Sequence, residues 1–304
     1  FNQPFFWQIT TFAFLTLVAA VISKLLYVYP SVCLVTSALS ICFCLVRFRS
    51  PLPVETNYHQ FMFISCLGCS LYLLGCLPTL TGNLFVEIAY PIILVFSLLF
   101  LKKFPFLAYN FGAALIYYKT DLASFSNLPI SKTDWSILAD IPLIFGIVNF
   151  IYYLVDIKNL PLNSLDKQYL KFCSLAIPLV IHIANYFAAA MEKIRIGADE
   201  WLFNPTQNIF LASVLNNQNP AFQWLKYEEI RHFLITYPTE ISLIVFIGNL
   251  AVFGTQFLSI LSFVRYKLLI SMLFLFEIFH FLVLLASGIF FYKWIFINIL
   301  FLIL

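Results

Sequence analysis

Apolar residues run along this chain in long blocks, broken by short polar punctuation. The blocks fall at about 5–28, 31–47, 60–80, 83–101, 104–118, 135–155, 171–192, 239–264 and 268–290, with a stub at 291–304. Most are long enough for a helix to cross a hydrocarbon core of about 30 Å, which takes about 20 residues. They are apolar on every side rather than on one stripe, as expected of helices packed among apolar neighbours or lipid. No strand-like alternation of period two recurs, and no repeat of 20–50 residues is evident. The pattern predicts an all-α, polytopic transmembrane bundle of about nine spans. Residues 1–304 would form a single transmembrane domain with no soluble domain.

Composition agrees. Of the 304 residues, 62% are hydrophobic and 10% are charged. A soluble domain carries about 25% charged residues, so too few charges are present to cover a water-facing surface. The lipid bilayer is therefore the expected surroundings. The formal net charge of +3 is too small to imply a nucleic-acid partner. Phe occurs 36 times and Tyr 16 times, which suits helix packing and interface belts without specifying a function.

Charge placement suggests the topology. The block at 104–118 is short and contains Gly112. If it crosses, Arg47, Arg49, Lys102, Lys103, Lys158, Lys167, Lys171, Arg265 and Lys267 share one side. Acidic Asp199, Glu200, Glu228 and Glu229 then lie opposite. Basic residues favour the cytoplasmic face, so the N-terminus is expected in the cytoplasm and the membrane to be a plasma or inner membrane. The first apolar block lacks a basic leader and a small-residue cleavage site, so no secretory signal peptide is expected. The longest polar excursion, about 192–238, would be extracytoplasmic. It includes an amphipathic stretch at Phe222–Phe233 suited to an interface or a cap over the bundle. Asn204-Pro205-Thr206 is no glycosylation acceptor, since proline holds the middle position.

Ionisable groups inside a membrane are costly, so each needs a partner or a purpose. In the block 171–192, His182, Asn185 and Lys193 fall near one helical face. Ala188, Ala189 and Ala190 beside them permit close helix approach. One reading is a polar path to a lysine that acts as a base; another is a snorkelling Lys193 and a His182 satisfied by packing. Glu277 and His280, three residues apart, can share a proton or simply lock two helices. Two histidines on separate helices are a weak signal for b-type haem. Cys66-Leu67-Gly68-Cys69 sits in an apolar block that would stabilise a thiolate poorly, so packing thiols are expected there. All seven cysteines lie in or at the ends of apolar blocks and read as reduced. Asp140 and Glu87, near helix ends, are expected to pair with a cation such as Lys193, Arg195 or Lys132. Asn249 and Gln256, seven apart, are expected to hydrogen-bond between helices. No metal-ligand spacing, nucleotide-binding loop, nucleophile elbow or broken-helix transporter repeat is present.

Asn185-Tyr186-Phe187, then Lys193, then Trp201 form one aromatic-rich motif. Glu277-Ile278-Phe279-His280, followed by Gly288-Ile289-Phe290-Phe291 and Trp294, forms another. Over about residues 170–304 these motifs resemble the HTTM superfamily, the membrane domain shared with vitamin K-dependent gamma-glutamyl carboxylases. Bacterial members include a membrane protein needed to mature a sporulation-delaying peptide toxin. The resemblance implies that Lys193 is the catalytic candidate, as the base that deprotonates a reduced quinone, with His182, Glu277 and His280 beside it. It also implies Asn185, Tyr186 and Trp201 as cofactor-binding candidates, a quinone or quinol as co-substrate, and a secreted peptide or protein as substrate. The interval from Lys193 to Trp201 is longer than in the carboxylases, and their large β-rich domain has no counterpart here. A non-catalytic accessory subunit of a larger membrane assembly is the second expectation, and a small-molecule transporter the third. Single-cysteine labelling at positions Leu122 and Gln218 tests the topology: both should react with an impermeant reagent from the same side, and opposite sides would overturn it.

Overall fold

A computed structural model of the chain describes residues 3–46, 56–76, 84–118, 135–157, 164–203, 227–287 and 291–303. All regular structure among these residues is helical, with no strand. The α-helices are α1 (Gln3–Val28), α2 (Ser31–Val46), α3 (Thr56–Cys76), α4 (Leu84–Phe100), α5 (Tyr109–Tyr117) and α6 (Trp135–Ile157). They continue with α7 (Ser164–Phe203), α8 (Tyr227–Thr236), α9 (Pro238–Leu258), α10 (Tyr266–Ser287) and α11 (Tyr292–Ile303). Short 3-10 turns precede α5 at Pro105–Ala108 and follow α9 at Ser259–Phe263. Among the described residues, five segments are long and apolar enough to cross a membrane: Trp7–Val28, Leu138–Val155, Gln168–Arg195, Pro238–Phe263 and Tyr266–Leu284. They fit an integral membrane protein. Large apolar side chains stand exposed on them, among them Phe14, Leu17, Ile244, Ile247, Phe274 and Phe281, a surface suited to lipid rather than water.

The apolar blocks set the helix limits closely, with two differences. The helix expected at 171–192 runs on to Phe203, past Gly197, whose backbone has φ 118°. L-residues with a side chain rarely adopt that conformation, so glycine allows the axis to change direction there. The expected helix at 104–118 becomes a four-residue 3-10 turn and a nine-residue α-helix. At about 2.0 and 1.5 Å per residue the two span about 21 Å, short of the roughly 30 Å apolar core. Prolines inside α4, α6 and α7 (Pro91, Pro142, Pro178) remove one backbone donor each, which helix packing tolerates.

The chain divides into two compact units, one ending at Val180 within α7 and the other beginning at Ile181. In the N-terminal unit, α5 is the core. Asn110–Ile116 are all buried, enclosed by α2, α3, α4 and α6. The α5–α6 contact depends on two glycines. A Cβ on Gly112 would lie 2.5 Å from the Ala139 carbonyl oxygen and 2.6 Å from Leu143 Cβ. A Cβ on Gly146 would run into the backbone of Tyr109. Small residues let helix backbones meet this closely. Rings of Phe43, Phe104, Phe106, Phe150 and Tyr153 fill the space beside this contact, edge to face or tilted at 5.4–6.4 Å between centroids.

Several polar groups in this unit are matched between helices, while Ser37 Oγ, Ser65 Oγ and Tyr90 OH are buried without a hydrogen-bond partner. Asn110 Nδ2 donates to Ser97 Oγ at 2.7 Å, and Ser40 Oγ donates to Asn110 Oδ1 at 3.0 Å, tying α5 to α4 and α2. Thr36 and Tyr109 hydroxyls meet at 2.7 Å. Asp140 takes hydrogen bonds from Tyr27 OH (2.8 Å) and Ser23 Oγ (3.3 Å) of α1. These two hydroxyls come from α1, the helix packed against that end of α6; Lys132, one of the cations expected near Asp140, lies outside the described residues. Cys66 and Cys69 are free and buried, and Cys69 Sγ donates to the Leu138 carbonyl at 3.3 Å; they serve packing. Gly112→Ala and Gly146→Ala should each destabilise the protein by about 1–3 kcal/mol, the usual cost of overpacking. Gly248→Ala on α9, where a Cβ meets nothing within 4 Å, should not. Thermal unfolding in detergent measures all three.

Candidate functional site

The C-terminal unit gathers its polar side chains from three helices, and each helix supplies a pair four residues apart. On α7 the pair is His182 and Tyr186; on α10 it is Phe276 and His280; on α11 it is Trp294 and Asn298. Positions i and i+4 lie one above the other on a helix face, so each pair points as a unit. Glu277, one position beyond Phe276, joins them. His182, Tyr186, Phe276, His280 and Asn298 are buried.

Asn298 is the junction. Its Nδ2 donates to Glu277 Oε1 at 2.8 Å and to Tyr186 OH at 3.0 Å. Its Oδ1 lies 2.8 Å from His182 Nε2. With both amide hydrogens directed at Glu277 and Tyr186, the amide oxygen remains as the acceptor for His182. The imidazole therefore carries its hydrogen on Nε2, leaving a lone pair on Nδ1. The amide links a histidine to a carboxylate by polarity, yet it passes no proton between them under ordinary conditions. Glu277 and His280, for which proton sharing and helix locking were both open, make no direct hydrogen bond to each other. Glu277 is turned to Asn298, while His280 is surrounded by the rings of Tyr186, Phe279, Phe291 and Trp294 at 5.2–6.0 Å. Tyr186 stacks on Phe276 with centroids 3.7 Å apart and planes 8° from parallel.

Three ring nitrogens in this cluster are buried without a hydrogen-bond partner: His182 Nδ1, His280 Nδ1 and Trp294 Nε1. Buried polar atoms are rarely left so, and each marks strain, function or a bound molecule. His182 and Trp294 rings lie 5.2 Å apart, centroid to centroid, and His280 and Trp294 rings 6.0 Å.

Lys193 stands elsewhere. Eleven residues beyond His182, it is about 16 Å further along the helix. Its Nζ donates to Gln256 Oε1 of α9 at 2.7 Å and to the Ala189 carbonyl at 3.4 Å. Asn249 Nδ2, seven residues before Gln256, donates to the Leu202 carbonyl at 3.5 Å. The expected interhelical bonds of Asn249 and Gln256 are therefore both made, and both go to α7. Arg195 pairs with Glu192 at 2.7 Å in an exposed position. Asn185 is half-buried and takes no part in the hydrogen bonds around Asn298. The Trp201 side chain and most of the 192–238 stretch lie outside the described residues. Within that stretch α8 is helical, with Glu228, Glu229 and His232 exposed.

His182, Tyr186, Glu277 and His280 are thus brought together, and Lys193 is not among them. The residue that joins them, Asn298, is absent from the sequence-level candidates. Its signal was its setting: it is the lone amide in the apolar run 291–304, where an amide needs a partner. The described residues hold no group of three or more His, Cys, Asp or Glu suited to a metal ion. Asn298→Leu removes the partner of three groups at once. With about 1–3 kcal/mol for each buried group left unsatisfied, the loss should be about 3 kcal/mol or more. Gln256→Leu, which frees only the half-buried Lys193, should cost about 1 kcal/mol; chemical unfolding of the two variants in mixed micelles gives the comparison. No protein-family model, curated protein or solved structure matches this chain.

Proposed function

We propose that the chain is a polytopic membrane protein of HTTM type that acts in the modification or maturation of a secreted peptide or protein. The observation that carries this reading is the convergence of His182, Tyr186 and Glu277 on Asn298, with His280 and Trp294 alongside. Polar and ionisable groups inside an apolar helix bundle are expensive and are kept where they serve a purpose. Six of them from three helices form a preorganised setting in which every ring is held by its neighbours. Lys193 is the proposed base, at the outer end of α7, with Trp201 and the 192–238 stretch as the peptide-facing side. A quinol entering from the lipid is the proposed co-substrate. Gln256 would hold the lysine amine in place through an uncharged acceptor, which leaves it able to lose a proton.

The proposed topology has about nine crossings, an N-terminus in the cytoplasm and a plasma or inner membrane as location. The short α5 is compatible with a crossing because protein rather than lipid encloses it, so its backbone ends need not reach the headgroups.

A second reading, a non-catalytic subunit of a larger membrane assembly, is favoured by one feature. Lys193 and His182 are separated along α7, and each hydrogen-bonds to a different protein amide rather than to the other's surroundings. The two readings part in one experiment. Secreted peptides are profiled by mass spectrometry from cells carrying the native chain, Lys193→Met, or no copy. Maturation predicts a peptide whose mass changes in the last two alike, with Lys193→Met present at native abundance. Identical profiles, together with stoichiometric membrane partners in native mass spectrometry, would leave the accessory reading.

A further inference from the structure

The cluster around Trp294 is complementary to a ligand that none of its own residues provides. His182 Nε2 donates to Asn298 Oδ1, so His182 Nδ1 is a buried acceptor with nothing to accept from. Trp294 Nε1–H can only donate, and it has nothing to donate to. His280 Nδ1 is a third buried atom without a partner. The Trp294 ring neighbours both histidine rings, with centroids 5.2 Å from His182 and 6.0 Å from His280.

An unpaired acceptor and an unpaired donor in one aromatic enclosure set the chemistry of the occupant. A cation would need acceptors alone and would meet the indole N–H. An anion would need donors alone and would meet the His182 lone pair. A purely apolar group would leave all three nitrogens as they are. A neutral hydroxyl group satisfies both at once, donating its hydrogen and accepting on its oxygen. Buried waters typically make two to four such bonds.

We propose that the enclosure formed by His182, His280 and Trp294 is a binding site for one neutral hydroxyl, which donates to His182 Nδ1 and accepts from Trp294 Nε1–H. His280 Nδ1 completes the polar lining, and the Tyr186–Phe276 stack forms part of the apolar wall. The hydroxyl belongs either to an ordered water or to a membrane-soluble alcohol. The site depends on geometry inside the C-terminal unit and not on peptide maturation, so either can fail without the other.

Solid-state NMR of the full-length protein in phosphatidylcholine bilayers provides the test. Histidine and tryptophan ring nitrogens are labelled with nitrogen-15, and His182 is assigned by the signal lost in His182→Asn. The expected spectrum has the hydrogen of His182 on Nε2 and magnetisation reaching Nδ1 and the Trp294 indole from a hydroxyl. Transfer from water protons identifies water as the source. Transfer from the labelled carbinol carbon of added 1-octanol identifies a membrane alcohol. In Trp294→Phe, which keeps an aromatic ring but removes the donor, transfer to His182 Nδ1 should fall severalfold while the tautomer is retained. No transfer from either source to the native protein, or a hydrogen on His182 Nδ1, would overturn the proposal. The native-protein spectrum decides the matter even if the variant does not fold.

Discussion

Inside an apolar helix bundle a side-chain polar group has no water to fall back on, so its partner must come from the protein, either a carbonyl of its own helix or a group on another. An unpaired buried group costs far more than a paired one gains, and this imbalance determines which helices are neighbours. In the N-terminal unit, Asn110 draws Ser40 of α2 and Ser97 of α4 onto α5, and Asp140 draws Tyr27 and Ser23 of α1 onto α6. In the C-terminal unit, Asn298 does the same for α7, α10 and α11. Apolar packing between such helices is largely interchangeable. Hydrogen bonds are not, and they give each bundle a unique arrangement.

Primary amides recur at these junctions. Asn110, Asn298 and Gln256 each sit where two or more helices meet, and each is uncharged while able to accept and, for the asparagines here, donate. An amide thereby satisfies a serine, a histidine, a carboxylate or an ammonium without placing a further charge in the interior. The glycine pair Gly112 and Gly146 performs the complementary task. It brings two backbones close enough for side chains on either side of the contact to reach each other.

Most helices were legible because they are continuous apolar runs ended by charge, proline or glycine; α7 instead extends through charged residues at both ends, from Ser164 to Phe203. The break in the helix at 105–108 was less so, since Phe104-Pro105 signals a stop while the surrounding apolar residues signal continuation. Of the site, the spacing of Glu277 with His280 was visible in the chain, while His182 was grouped with Asn185 and Lys193 rather than with Tyr186. Which residue joins them was not, because Asn298 is over 100 residues from His182 and periodicity reports a face, never the neighbour it meets. The pairing of Lys193 with Gln256 was hidden for the same reason. Glu277 meets the Asn298 amide of another helix rather than His280, a partner that the spacing within α10 does not show.

Asn298 has one more consequence. For a chain lying in a bilayer as proposed, titratable groups strung together would form a wire along which protons leak down the electrochemical gradient. An amide placed between His182 and Glu277 is an insulator at the joint. It holds the two ends in register by hydrogen bonds while passing no proton from one to the other.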